Sequence, residues 1–310
     1  GGYVVECPWH NSKFDVRTGE VKEPPASEPE PTYQVKVDGN DILIKKQDKG
    51  KSKSSQLELT LTKKDKVEGT DVMSFKFSKQ NDQLENKMLL DYTAGQFAFF
   101  DIGEVYNDPK GPIRHFTISS SPTEDFIMFS TRIRDSPYKK RLSTLEEGAK
   151  VKVRGPEGQF VLHQDYSKPA VFLSGGIGVT PFRTMIKYAT DKQLPTRIIM
   201  FDSNRNRSNI LFKKEFDDWA GINKNLKIIY TIDEDEYHEQ SLSTTNDWKG
   251  EYGRINKSMI LKYLDTNVLN NSIFYICGPP GMLKAMQALL QEDDLNIPKE
   301  RIKVEEFTGY

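Results

Sequence analysis

The sequence predicts a multidomain protein of α+β and α/β class: a small β-rich stretch at 1–46, an antiparallel β-barrel at 57–165 and a doubly wound parallel α/β domain at 166–310. Three observations predict this. Strand-like runs follow one another at hairpin spacing through the middle of the chain, the pattern of a barrel or sandwich. From about residue 168 strands alternate with helices, the pattern of βαβ units on a parallel sheet. Between them and the first stretch, "QDKGKSKSSQ" (47–56) is polar and low in complexity, and reads as a linker.

In the first stretch, "TYQVKVDGNDILIKK" (32–46) alternates apolar and polar residues about Asp38-Gly39-Asn40-Asp41, a hairpin signal. The proline-rich "KEPPASEPEP" before it excludes helix and inner strand. The middle region supplies "QLELTLTK", "DVMSFKFSK", "GQFAFFDI", "RHFTISS", "DFIMFSTRI" and "AKVKVRG" as strands, with one short helical piece at 138–146. In the last region the strands are "AVFLS", "RIIMF", "LKIIYTI", "SIFYICG" and "RIKVEEF". The helices between them are "PFRTMIKYA", "NILFKKEFDDWA", "KSMILKYL" and "GMLKAMQALLQE".

Lys and Arg number 44 against 45 Asp and Glu, a net charge of −1. That balance offers no basic face for nucleic acid. No apolar run approaches the ~20 residues of a membrane span, and the N-terminus has no secretory pattern. Two cysteines in 310 residues do not make a disulfide framework, which suits a reducing, cytoplasmic compartment. The chain starts with Gly-Gly, which reads as processing or as a fragment of a longer protein.

Three stretches carry chemistry. "FLSGGIGVTPF" (172–182) puts Gly175, Gly176 and Gly178 between a buried strand and a helix, with Thr180 placed to cap that helix and Pro181 suited to its first position. Exposed N–H groups and the helix dipole there suit a pyrophosphate. The G-x-G-x-x-G spacing is absent, and by itself the stretch reads equally as a tight strand–helix turn. "YICGPPGML" (275–283) repeats the arrangement, with Gly278 and Pro279 at the end of another strand of the same sheet. Two such turns at strand carboxyl ends point to one extended ligand. Cys277 would point into that crevice; the plainer alternative is a small buried apolar residue. "GPIRHFTISSSP" (111–122) offers Arg114 for phosphate, His115, Phe116 as a flat apolar surface and Thr117 as a hydroxyl. Alternation puts Arg114 and Phe116 on one face and Thr117 on the other; without context this is an ordinary strand with a surface arginine.

Taken together, residues 57–310 resemble the ferredoxin–NADP reductase superfamily, an FAD barrel followed by a pyridine-nucleotide domain. "RHFT" resembles its Arg-x-Tyr/Phe-Ser/Thr flavin motif, "RGPEGQF" the end of its barrel, "GGIGVTP" and "CGPPGM" its two nucleotide turns, and "VEEFTGY" its aromatic-ended C-terminus. The resemblance implies that Arg114 binds the FAD pyrophosphate, with His115 inside the same motif. Phe116 would pack against the isoalloxazine or ribityl chain, and Thr117 would hydrogen-bond near flavin N5. Ser136, in "STRIRDSPYKKRL", would be a further phosphate contact, although that stretch departs from the family's Gly-x-x-Ser form. Gly175, Gly176, Gly178, Thr180, Pro181, Gly278 and Pro279 would shape the nicotinamide-nucleotide site, with Cys277 beside nicotinamide C4. Phe307 or Tyr310 would cover the flavin. After the second strand of the sheet, "FDSNRNRSN" offers Asp202 for a free ribose 2′-hydroxyl and Arg205 and Arg207 for a 2′-phosphate. The reading leans to NADH.

"ECPWHNSKFD" (6–15) is similar to the second, Cys-x-x-His box of a Rieske domain, and "PPA" to the proline loop that shields its cluster. In that family two Cys hold one iron of a [2Fe–2S] cluster and two His the other. Cys7 and His10 would be two of these ligands. His115, His163, His238 and Cys277 do not replace the rest, so the resemblance implies an N-terminally truncated copy. The expected protein is a flavin-dependent oxidoreductase that passes electrons from NAD(P)H through FAD to a Rieske cluster. From there they would go to an oxygenase component, a ferredoxin or a haem protein. A flavin reductase or dehydrogenase without a working cluster, and a non-enzymatic flavin- or nucleotide-sensing module, stay open beside it.

Overall fold

A computed structural model describes residues 2–6, 12–23, 29–30, 32–39, 41–45, 57–79, 90–233, 248–292 and 294–306. The chain divides into two compact units, Gly1–Ser54 and Ser55–Tyr310. The expected linker at 47–56 lies outside the described residues.

The first unit holds two small sheets. β1 (Val4–Glu6), β2 (Lys13–Asp15) and β3 (Val21–Glu23) form an antiparallel sheet, and β4 (Gln34–Asp38) pairs with β5 (Asp41–Lys45) as the expected hairpin. Its register puts Asp38 opposite Asp41, and Gly39 takes φ +59°, a left-handed turn position glycine fills without strain. Phe14 is buried, whereas Val4, Val5, Val35, Val37 and Ile42 are exposed.

The second unit begins with the barrel: β6 (Leu57–Lys66), β7 (Val72–Ser78), β8 (Phe97–Asp101), β9 (Ile113–Thr117), β10 (Phe126–Arg132) and β11 (Lys150–Glu157), all antiparallel in the order β10-β7-β6-β11-β8-β9. Alternate residues point inward, as Leu57, Leu59 and Leu61 do on β6. The interior is aromatic: Phe100 lies 4.5 Å and Phe116 4.3 Å from Phe129, ring centre to ring centre. The end strands meet through Ser119, whose N–H donates to the Met128 carbonyl at 2.7 Å. The short helix expected at 138–146 is α1 (Pro137–Ser143).

The last region is a six-stranded parallel sheet of β12 (Ala170–Gly175), β13 (Ile198–Asn204), β14 (Leu226–Ile232), β15 (Glu251–Tyr252), β16 (Ile273–Gly278) and β17 (Ile302–Glu306), in the order β15-β14-β13-β12-β16-β17. β12 is buried on both faces, as a central parallel strand must be. α2 (Thr180–Asp191) and α3 (Lys213–Ile222) cover one face; α4 (Lys257–Tyr263), α5 (Thr266–Asn271) and α6 (Pro280–Gln291) cover the other. The chain runs outward from β12 to β15 and returns to β16 beside β12, so the topological switch lies between β12 and β16. α3 starts later than the apolar pattern suggests, because Phe212 takes φ +57° and cannot continue a right-handed helix. The pattern also passes over β15 and α5, each too short to show a period. Among the described residues no helix is long and apolar enough to cross a membrane.

Candidate active site

The two glycine turns meet at the switch point. The first turn leaves β12 as a 3-10 turn over Gly176–Val179 and enters α2; the second joins β16 to α6. A Cβ on Gly178 would stand 2.4 Å from the Cys277 carbonyl oxygen and 2.7 Å from the Gly278 nitrogen. One on Gly175 would stand 2.3 Å from Met282 Sδ. These glycines therefore let two backbones touch. Gly176, with φ +53°, faces the barrel instead: its Cβ position is 3.5 Å from Arg132 Nη2, at the end of β10. The expected cap is corrected. Thr180 is the first helical residue of α2, not its cap; its hydroxyl donates to the Ile177 carbonyl at 3.2 Å, and Pro181 is the second residue. Pro279 caps α6 without a side-chain hydrogen bond.

Cys277 does not open into a crevice. It is fully buried in the apolar layer beneath α2, near Val179 and Tyr275. Burial pushes its thiol well above the usual range, and the neighbouring Glu305 adds to this. Glu305 stands opposite Cys277 in the β16–β17 register. Its Oε2 is shut away from solvent with no hydrogen-bond partner among the described residues, and burial raises the carboxyl to about 8. Sequence reasoning passed over Glu305; the signal was an acid in a terminal strand, legible only once β17 is known to lie beside β16.

Asp202 also departs from expectation. It ends the apolar part of β13 but is fully buried, accepting a hydrogen bond from Asn204 Nδ2 at 2.9 Å. Burial raises it to about 7. Its carboxyl does not stand at the surface to meet a ribose; Arg205 is the exposed charge of that loop, and Arg207 packs over Trp248 at 5.2 Å.

On the barrel side, β9 carries the motif "RHFT" with Arg114 and Phe116 directed inward. Arg114 pairs with Asp108 at 2.6 Å, with both side chains under 8% exposed. Its Nη1 donates to the carbonyls of Lys110, Gly111 and Ile113, and its guanidinium lies 4.8 Å over the Tyr138 ring. The guanidinium thus closes the loop before β9, so it is not a free surface cation. Phe116 stacks on Phe129 at 7° to it. His115 is half-buried on the outer face between Phe97 and Phe99, and burial lowers its pKa. Thr117 is nearly buried and pairs with Phe97 across the ladder. Ser136 caps α1, its Oγ accepting from the Lys139 N–H at 3.2 Å, which engages the atom expected to meet a phosphate.

Lys139 is the unexpected member of this group. In sequence it belongs to "STRIRDSPYKKRL", where only Ser136 was expected to meet a ligand; in the fold it is 2% exposed. Its Nζ donates to Thr131 Oγ1 on β10 and lies 4.6 Å over the Phe116 ring. Burial, then Arg114 and Arg134, lower the ammonium to about 7. No carboxylate among the described residues pairs with it.

Arg183 fixes the barrel against the nucleotide domain. It lies on α2, 1% exposed, and donates to Ser119 O at 2.7 Å, Glu124 at 2.9 and 3.1 Å, and Glu215 on α3 at 2.8 and 2.7 Å. Burial opposes its charge, but the two carboxylates hold the pKa above the usual value. His163 makes a second tie, its N–H donating to Tyr275 OH on β16 at 2.8 Å. Cys7, His10, Phe307 and Tyr310 lie outside the described residues. Among the described residues no three His, Cys, Asp or Glu side chains gather as a metal centre.

Residues 172–288 match the family model of the oxidoreductase NAD-binding domain. NADH-cytochrome b5 reductase 2 of Lodderomyces elongisporus is 30% identical over 192 residues, 59% of this chain and 61% of that protein. Flavohemoprotein A of Dictyostelium discoideum is 25% identical over 251 residues, 77% of this chain and 57% of that one. The chain therefore spans about three-fifths of the length of these curated relatives. The FAD/NAD-binding domain of a nitric oxide dioxygenase from Vibrio cholerae O1 biovar El Tor superposes with a TM-score of 0.66 at 19% identity, over 81% of this chain and 98% of that domain.

Proposed function

We infer, from a chain with the ferredoxin reductase-like FAD/NAD-binding fold and an oxidoreductase NAD-binding domain at 172–288, that it is an NAD(P)H-dependent flavin oxidoreductase delivering electrons to a protein acceptor. One observation carries this reading: two glycine turns in backbone contact at the switch point, the first of them facing the end of barrel strand β10 through Gly176 and Arg132. A dinucleotide laid across the strand ends would meet the barrel there.

The residues divide the work. The N–H groups of the first turn and the α2 dipole receive the nucleotide's phosphates. The β9 motif, with Thr117 at its end, would hold the flavin, FAD by the fold. When bound, FAD accepts a hydride and returns electrons singly, which nicotinamide cannot do. Thr117 would place its hydroxyl at the reacting edge. Glu305, protonated over much of the neutral range, would hold a proton at Oε2 beside Cys277, a neutral thiol. The aromatic barrel interior and the Arg183 clamp keep water out and fix the approach.

The acceptor is proposed as a haem protein or another one-electron carrier, supported by the cytochrome b5 reductase and flavohemoprotein relatives. For residues 1–46 the proposal is half of a Rieske-type module, with Cys7 and His10 each a ligand to one iron of a [2Fe–2S] cluster. Two ligands do not hold a cluster, so no step is drawn through one; iron and acid-labile sulfide content tests the assignment. The main reading is tested by adding NADH or NADPH anaerobically to FAD-loaded protein. Loss of the flavin's visible absorption supports it, and an unbleached flavin with either nucleotide overturns it.

A further inference from the structure

We infer that His163 is an acid-sensitive latch between the barrel and the nucleotide domain, closed by a hydrogen bond from Tyr275 to its neutral ring and opened when the ring takes a proton. The chain passes from barrel to nucleotide domain between β11 and β12, over residues 158–169. That segment is gripped from both sides. On the barrel side, a Cβ on Gly95, just before β8, would stand 2.1 Å from the Phe160 carbonyl oxygen. On the other side the Phe160 ring meets Phe182 of α2 and Tyr275 of β16, with ring centres 5.9 and 5.6 Å apart. Lys303 of β17 donates from Nζ to the Val161 carbonyl at 3.2 Å. His163 follows, half-buried, where solvent still reaches it. None of this depends on a bound flavin.

The hydrogen bonds around the ring allow one arrangement of protons. Nε2 lies 3.0 Å from the Lys168 carbonyl, which only accepts, so Nε2 carries the proton. Nδ1 is then an acceptor, and the Tyr275 hydroxyl 2.9 Å away donates to it. The same hydroxyl oxygen accepts the His163 backbone N–H at 2.8 Å. Burial holds the Tyr275 phenol above its usual pKa, so it stays a donor. A proton on Nδ1 sets two donors against each other. Tyr275 must then turn its O–H toward Phe160 and Phe172, at the cost of a buried hydrogen bond. The charged groups facing the ring among the described residues are Lys303 from β17, 5.2 Å over the Tyr275 ring, and Lys168 and Asp165 from its own segment. Burial lowers the His163 pKa most, and Lys303 and Lys168 add to this; the Lys168 carbonyl and Asp165 act the other way. The latch is therefore complete above the usual histidine value and is lost as pH falls below it. Once open, it releases 158–169 from β16, the strand that leads into the second glycine turn. The nucleotide domain then gains freedom about its covalent link to the barrel.

The test uses the full chain, as wild type, His163→Gln and Tyr275→Phe. Nitrogen NMR of the wild-type imidazole at about pH 8 is expected to show the proton on Nε2. Amide hydrogen exchange, corrected for its intrinsic pH dependence, then follows residues 161–166 and β16 between about pH 8 and about pH 5. In wild type the protection of both falls about tenfold across that range, the worth of one buried hydrogen bond. In His163→Gln, whose side-chain oxygen accepts from Tyr275 but takes no proton, it stays level. Tyr275→Phe frees Nδ1, so the His163 titration moves up toward the usual histidine value. A proton on Nδ1 of the neutral ring overturns the inference. So does protection that stays level in wild type, or that falls equally in wild type and His163→Gln. Should His163→Gln not fold, Tyr275→Phe decides: a raised titration supports the latch and an unmoved one overturns it.

Discussion

Replacing Arg183 by methionine removes a side chain that bonds the barrel loop, α2 and α3 together. The magnitude follows from what is left behind. Glu124 is 11% exposed and would lose both guanidinium contacts, retaining the Ser121 N–H at 2.6 Å. Ser119 O, buried, would lose its Arg183 donor. Glu215 is 40% exposed and turns to water at little cost. Breaking a buried pair from one side costs about 3–5 kcal/mol; with one carboxylate able to escape and the other still hydrogen-bonded, about 3 kcal/mol is expected. Urea unfolding of Arg183→Met should show this as a lower midpoint at unchanged slope, since Ser55–Tyr310 is one compact unit. Adding Glu124→Gln should restore about 1 kcal/mol or more, because the stranded charge is then gone. A loss below about 1 kcal/mol, or a double variant no better than the single one, would refute the view that a desolvated carboxylate dominates the cost.

The other predictions concern the strand ends. Gly178→Ala drives a methyl into the Cys277 carbonyl and should cost about 1–3 kcal/mol while weakening nucleotide-dependent flavin bleaching; normal bleaching would show that the turns need not touch. The Asp202 carboxyl is raised from 3.8 to about 7, so the folded chain keeps a proton that the unfolded chain has released between those values. Stability from this group is full below the lower value and lost as pH rises through the upper one. Asp202→Asn should therefore match wild type near pH 4 and exceed it at pH 8 in urea midpoint; equal midpoints at pH 8 would argue for a carboxylate that stays charged. Thr117→Val should slow anaerobic bleaching by about tenfold, the value of one hydrogen bond, with flavin content unchanged. Glu305→Gln should remove an ionisation near pH 8 from the pH dependence of that rate; an unaltered profile would take Glu305 out of the proton path.

The parts of this protein legible in its sequence are those governed by period and by glycine. The alternation in "LELTL" sets the inward face of β6, and the strand–helix rhythm after 168 gives the parallel sheet with its switch point. "GGIGVTP" and "CGPPGM" are legible as turns because only glycine tolerates such backbone approach, and they do meet. The charged groups were not legible in the same way. Alternation places Arg114 and Phe116 on one face but not whether that face is inside a closed barrel, nor that Asp108, six residues away, neutralises the arginine. Nothing in the sequence separates Lys139 from Lys140, and only the docking of α1 shows that the first is buried and the second exposed. Glu305 acquires meaning from a neighbour, Cys277, that β-sheet register supplies and sequence distance conceals. Arg183 interrupts an apolar helix pattern, a signal that was available in "PFRTMIKYA".

The contact between Gly178 and the Cys277 carbonyl also bears on when the nucleotide site comes into being. β12 emerges early, yet its neighbour across the switch is β16, made only after β13, β14 and β15. During synthesis the first turn waits, without the surface it rests on, until nearly the whole domain has left the ribosome. A chain shortened before β16 would keep the barrel and four of the sheet's six strands but no place for a dinucleotide to lie, so cofactor capture waits on the synthesis of β16.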